Sequence, residues 1–206
     1  PTMTLQLLPT RLPTEVRQAA IVDAALNLAC SMGPAQITTS DTAAAVGATQ
    51  GAECNHFPTK EAIWLAAMSW VQAQLLDTLE EAAVTAPTPL QGLGAVFMAH
   101  VEFVVAHSGV PRLIFHELQQ PADSPTKQAV RALLQGYRQL LLGLLGAAMH
   151  QGQLPAELDQ DAAATLFVGI VQGLVMQAML SGKPAAMRTQ AERVFALYLR
   201  GLEAQV

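Results

Sequence analysis

The chain has 206 residues, of which 51% are hydrophobic and only 13% charged, with 11 basic against 16 acidic side chains. That length gives room for a sizeable apolar core in one large domain or in a small and a medium one. The net charge of −5 argues against a non-specific nucleic-acid coat protein, though not against one that offers DNA a single small surface. Two cysteines, Cys30 and Cys54, make no disulfide framework. No run of about 18 apolar residues is free of polar breaks. The nearest, Leu166–Leu180, is interrupted by Gln172 and Gln177. A cytoplasmic protein with no membrane partner is expected.

In chain order, residues 1–13 hold three prolines and no periodicity, and no charged stretch leading into an apolar one as a secretion signal requires. A mobile arm is expected there. Thr14 reads as an N-cap, and the stripe Val16, Ala20, Ile21, Ala24, Ala25, Leu28, Ala29 reads as a helix that Gly33-Pro34 ends. Thr39 is placed to cap a short helix through Val46, Gly47 breaks it, and Thr49 is placed to cap a second one through about Phe57. Pro58 stops that helix, and Thr59 opens a long amphipathic run to about Val84. Two short helices about a glycine turn make a helix-turn-helix pattern. Helical segments follow near 90–108, 111–120, 125–151, 159–181 and 186–204, separated at Ser108-Gly109, Pro121, Gly152 to Pro155 and Gly182 to Pro184. Ala and Leu dominate and no stretch alternates like a strand, so the fold expected is all-α. A head over 14–62 and a larger body over 63–206 are expected, joined within one helix.

The run Ile37-Thr38-Thr39, Ala43, Gly47, Thr49, Gly51 and then His56-Phe57-Pro58-Thr59-Lys60-Glu61 resembles the helix-turn-helix of the tetracycline-repressor (TetR) family of one-component regulators. The likeness spans about residues 14–64. It implies an N-terminal DNA-binding head, a C-terminal helical domain for ligand binding and dimerisation, and a regulator, by family habit a repressor, that is not an enzyme.

A recognition helix near 50–57 would enter the major groove. Gln50 and Asn55 suit base reading, because a side-chain amide pairs bidentately with adenine. Thr38, Thr39, Ser40 and Thr49 offer hydroxyls and helix-start amides to phosphates. Lys60 and His56 are also placed for phosphates, and Gly51 and Ala52 allow close backbone approach. One short helix reads few bases, so a homodimer is expected. Its seam is expected on Leu166, Gly169, Ile170, Gly173, Leu174 and Ala178, where a Gly-x-x-x-Gly step permits close packing. An effector pocket is expected to draw on Met98, His100, Phe103, His107, Phe115, His116, Leu134, Tyr137, Met149 and Met176, an apolar set with few polar groups that suits an apolar or amphipathic small molecule. His100 and His107 share a helix face, but the usual i, i+4 spacing of helical metal ligands is missing, and no metal, cofactor or catalytic motif is expected.

From residue 1 to 61 only Arg11, Arg17 and Lys60 are basic, against Glu15, Asp23, Asp41, Glu53 and Glu61. Phosphate neutralisation dominates most DNA affinities. A ligand-binding or protein-interaction dimer with the same fold and little DNA affinity therefore stands as the alternative.

Overall fold

The computed structural model describes residues 13–203, and every side chain within them except those of Glu53 and Cys54. The arm expected over 1–13 lies, apart from Pro13, outside the described residues. The helices are α1 (Thr14–Leu28), α2 (Thr39–Ala45), α3 (Gln50–Cys54), α4 (Lys60–Thr85), α5 (Pro89–Ala106), α6 (Gly109–Gln119), α7 (Pro125–His150), α8 (Gln160–Ser181) and α9 (Met187–Glu203). A single 3₁₀ turn at Pro184–Ala186 precedes α9, and no strand occurs among the described residues. The fold is all-α, as the composition implied.

The helix starts follow from local chemistry. Thr59, Thr88, Ser124 and Asp159 each accept a hydrogen bond from the backbone N–H three residues on, at the heads of α4, α5, α7 and α8. Pro89 and Pro125 occupy the first turns of α5 and α7, where no N–H is needed. Three starts and stops differ from the sequence reading. Pro13, not Thr14, holds the cap position of α1, in extended geometry with φ −52° and ψ 147° and with no side-chain hydrogen bond to the helix start. Thr38, not Thr39, caps α2, because Asp41 completes a capping box. Asp41 N donates to Thr38 Oγ1 at 3.2 Å, and Thr38 N donates back to Asp41 Oδ2 at 2.8 Å. Finally, α3 stops at Cys54 rather than Phe57. Pro58 disfavours helical geometry at Phe57, and Phe57 turns into the core instead.

One contiguous apolar core runs from Ile21, Ile37, Phe57 and Ile63 through Met68, Leu79 and Leu93 to Leu133, Leu145 and Phe167. Helices α4, α5 and α7 pack on one another at its centre, α8 and α9 close over α5 and α7, and α1 lies on the start of α4. Phe97 and Phe167 meet edge-on at 5.3 Å, and Phe167 meets Tyr198 edge-on at 5.7 Å. Such pairs contribute about 0.5–1.5 kcal/mol each beyond their burial. Both α5 and α8 are long and apolar enough to span a membrane by length and composition alone, with mean hydropathies of 1.4 and 1.8 over their best windows. Each places Phe and Val side chains in this core.

Candidate ligand cavity and nucleic-acid interface

Five helices enclose an apolar cavity. Leu75 comes from α4, and His100, Phe103 and Val104 from α5. Val110, Pro111, Ile114, Phe115 and Leu118 come from α6, Leu133, Leu134 and Tyr137 from α7, and Val168, Val171, Gln172 and Val175 from α8. Its volume is about 80 Å3, within about 690 Å3 of empty space that includes open solvent. That is room for a handful of water molecules, so a larger ligand seated wholly within it must widen it.

The polar groups here are few and neutral. His100 Nδ1 lies 3.0 Å from the Tyr137 hydroxyl, with the two rings edge-to-face at 5.2 Å. The half-buried imidazole faces the cavity rather than bulk water, and burial pushes its pKa down to about 4, so it is neutral at pH 7. Burial, with a smaller contribution from Tyr198, pushes the Tyr137 phenol up, so it stays protonated. A buried O–H needs an acceptor. The pair therefore has Tyr137 donating to Nδ1, which puts the ring proton on Nε2.

Of the ten residues expected at the pocket, His100, Phe103, Phe115, Leu134 and Tyr137 lie on this cavity and five do not. His107 packs against Trp70 and Phe103 at 5.2 and 4.7 Å. His116 sits near the end of α6, 3.5 Å from the Gln120 amide. Met98 and Met149 are partly buried against the core elsewhere, and Met176 points outward with 51% exposure.

Helix α6 is held at both ends. At its start, Gly109 abuts the end of α1 so closely that a Cβ there would sit 2.1 Å from the Leu26 carbonyl oxygen and 3.2 Å from Ala29 Cβ. Ser108 donates to Cys30 Sγ at 3.3 Å beside it. At its far end, the buried Glu117 carboxylate accepts from Ser124 at 3.0 Å, and Lys127 Nζ donates to the Gln120 carbonyl at 2.6 Å. The helix that supplies five cavity residues is thus also the one that touches α1.

The starts of α2 and α3 meet, with Gln50 Nε2 donating to Thr39 Oγ1 at 3.1 Å. Thr38, Ser40, Thr49, Gln50, Gly51, Ala52 and Asn55 are exposed around that junction, and Thr39 is half-buried within it. Thr49 caps α3 through Ala52 N. Two of the residues expected at phosphates are engaged internally. Lys60 Nζ donates to the Ala35 carbonyl at 2.9 Å. The half-buried His56 has its Nδ1 buried without a partner, and its carbonyl accepts from Gln18. Arg17, the other described cation of this region, reaches the Val46 carbonyl at 3.4 Å.

Residues 119–194 match the family model for the tetracyclin repressor-like C-terminal domain. The fatty acid metabolism regulator protein of Bacillus subtilis is 22% identical over 182 residues, covering 88% of this chain and 93% of that one. Among solved structures, the B. subtilis regulator FadR in complex with stearoyl-CoA superposes with a TM-score of 0.78 at 22% identity, over 89% of this chain and 98% of that one. KstR2 of Mycobacterium tuberculosis, a ketosteroid transcriptional regulator, gives 0.76 at 19% identity, over 92% and 96%. The chain thus has the fold of these regulators, and its residues 119–194 resemble the tetracycline-repressor C-terminal domain.

In this TetR-like fold the outer face of α8 is exposed and apolar. Leu166, Met176 and Leu180 are 53%, 51% and 76% exposed, and a Cβ on Gly169 or Gly173 would meet nothing within 4 Å. Ile170 is half-buried beside them. Leu174 and Ala178, expected on the seam, instead turn inward and are 9% and 8% exposed. At 3.6 residues per turn they sit with Phe167 and Val171 on the core side of α8. Leu197 on α9 is exposed as well, at 63%.

Sequence reasoning missed most of the cavity wall. Leu75, Val104, Val110, Ile114, Val168, Val171 and Val175 carry no mark that separates a lining aliphatic from a core one. Gln172 could have been found, since it interrupts the most apolar helix in the chain.

Proposed function

We propose that this protein is a homodimeric, ligand-controlled DNA-binding regulator that acts as a repressor. Residues 14–62 would form the reading head and 63–206 the sensing and dimerisation body. One observation carries the reading: α6 lines the cavity and also packs without clearance on α1, the first helix of the head. A ligand that widens the small cavity moves α6, and α6 cannot move at Gly109 without moving Leu26 and Ala29. Binding then shifts the population toward a head spacing that no longer fits DNA.

The head offers Gln50 and Asn55 for bases. Thr39, Ser40 and Thr49 serve phosphates through hydroxyls and helix-start amides, so little net positive charge is needed. Lys60 would exchange the Ala35 carbonyl for a phosphate oxygen. Two copies would pair through Leu166, Gly169, Ile170, Gly173, Met176 and Leu180 on α8, with Leu197 alongside. The relatives support this reading, since they include a fatty acid metabolism regulator, a ketosteroid transcriptional regulator and SmeT, the repressor of a multidrug efflux pump, which has been seen with triclosan.

The test is selection from a random duplex pool by the purified protein, followed by sequencing of what it retains. A two-part motif with half-sites about one helical turn or more apart is the expected result. A retained pool no different from the input would refute the reading head.

A further inference from the structure

We propose that the α4–α8 cavity selects an uncharged ligand, a mostly apolar molecule with one hydrogen-bond acceptor such as a ketone, and rejects ionised carboxylates. This rests on the reading of the cavity as an effector site and goes further by naming the ligand's chemistry.

The lining contains no Lys, Arg, Asp or Glu. An anion entering it would lose its hydration with no counter-charge to meet, a penalty that ordinarily excludes it. The polar atoms that do face the cavity are those of His100, Tyr137 and Gln172. Tyr137 donates to Nδ1 of His100 and so leaves Nε2–H as a donor, and Nε2 has no partner among the described residues. Gln172 stands exposed at the mouth. Arg112, the cation within α6, lines a neighbouring cleft with Ser108 and Pro184 instead. An unpaired donor on a half-buried ring, set in aliphatic walls, is complementary to a single neutral acceptor on an apolar body.

Three probes of nearly one shape separate the contributions: 4-butylacetophenone, 4-butylbenzoate and 1-butyl-4-isopropylbenzene. Their affinities for the full chain are measured by calorimetry at pH 7.4. The ketone should bind roughly three- to tenfold tighter than the isopropyl compound, the gain of one hydrogen bond. The benzoate should bind at least about tenfold weaker than the ketone. His100→Phe, which keeps a ring against Tyr137, should bring the ketone down to the isopropyl compound. Tyr137→Phe, a smaller change that frees the tautomer, should narrow the same gap. Benzoate binding as tightly as the ketone would overturn the proposal while leaving the cavity as a ligand site, with Arg112 then the cation reached. An unchanged ketone preference in both variants would also overturn it. If none of the three binds, the proposal and the cavity reading fall together.

Discussion

Gly109→Ala tests the joint between α6 and α1. The added methyl would lie 2.1 Å from the Leu26 carbonyl oxygen and 3.2 Å from both Ala29 Cβ and Cys30 N. Comfortable contact needs about 3.5 Å, so α6 must retreat by roughly 1 Å or more. The main obstacle is backbone, which no rotamer change removes. Overpacking of this kind costs about 1–3 kcal/mol. For a chain of this size, each kcal/mol lowers Tm by about 2–4 °C, so a fall of roughly 2–12 °C is expected. Gly143→Ala on α7 is the control, because a Cβ there meets nothing within 4 Å. As an exposed mid-helix glycine it should instead gain about 0.5–1 kcal/mol. Circular-dichroism melts of the two variants beside the parent give the answer. If Gly109→Ala melts within 1 °C of the parent, the tight joint is not there.

Further expectations follow from other parts of the molecule. Above pH 6.5 His100 is neutral both folded and unfolded, but below it the unfolded chain takes up a proton that the buried ring accepts only near pH 4. Stability should therefore fall with acidification between these values by up to about 3 kcal/mol. Melts at pH 7 and 5 should show His100→Phe losing most of that slope, and an equal slope would remove His100 as the cause. Asp41, Glu102 and Asp123 are held below their usual range by hydrogen bonds from Thr38, Arg188 and Arg131. What they add is present above their unfolded values and is lost only as pH falls through the lowered ones, mostly below pH 5. Thr38→Ala, which removes the cap of α2, should cost about 1 kcal/mol by chemical denaturation; no loss would mean that Asp41 holds the turn alone. Leu166→Arg, on the exposed face of α8, should halve the mass seen by light scattering, and an unchanged mass would place the seam elsewhere. Gln50→Ala should relax sequence preference while Lys60→Ala weakens all duplexes alike, and equal effects from both would reverse those roles.

Most of the fold was legible because its punctuation is chemical. Thr59, Thr88, Ser124 and Asp159 cap, Pro89 and Pro125 open helices, and Gly47, Gly152 and Gly182 take positive φ at the breaks. The boundaries that slipped depended on a second residue. Asp41 made Thr38 the cap, and Pro58 shortened α3 by acting on Phe57. The cavity was legible only where chemistry marks a residue, as with His100 and Tyr137. Its walls are Val, Leu and Ile, identical in sequence to core. Helix phase alone turned Leu174 and Ala178 inward and Met176 outward, and a phase error of one position along α8 exchanges seam for core.

The reading head is the claim on which the rest depends, because the region is acidic overall and its described cations hold backbone carbonyls. Fluorescence anisotropy would follow the protein binding DNA from upstream of its own gene, beside a scrambled duplex, at two salt concentrations. The account predicts preference for the upstream duplex and affinity that falls steeply with salt, as displaced counterions require. Equal binding to both duplexes, or none at either salt, would contradict it and leave a ligand-binding dimer that keeps the fold without the reading.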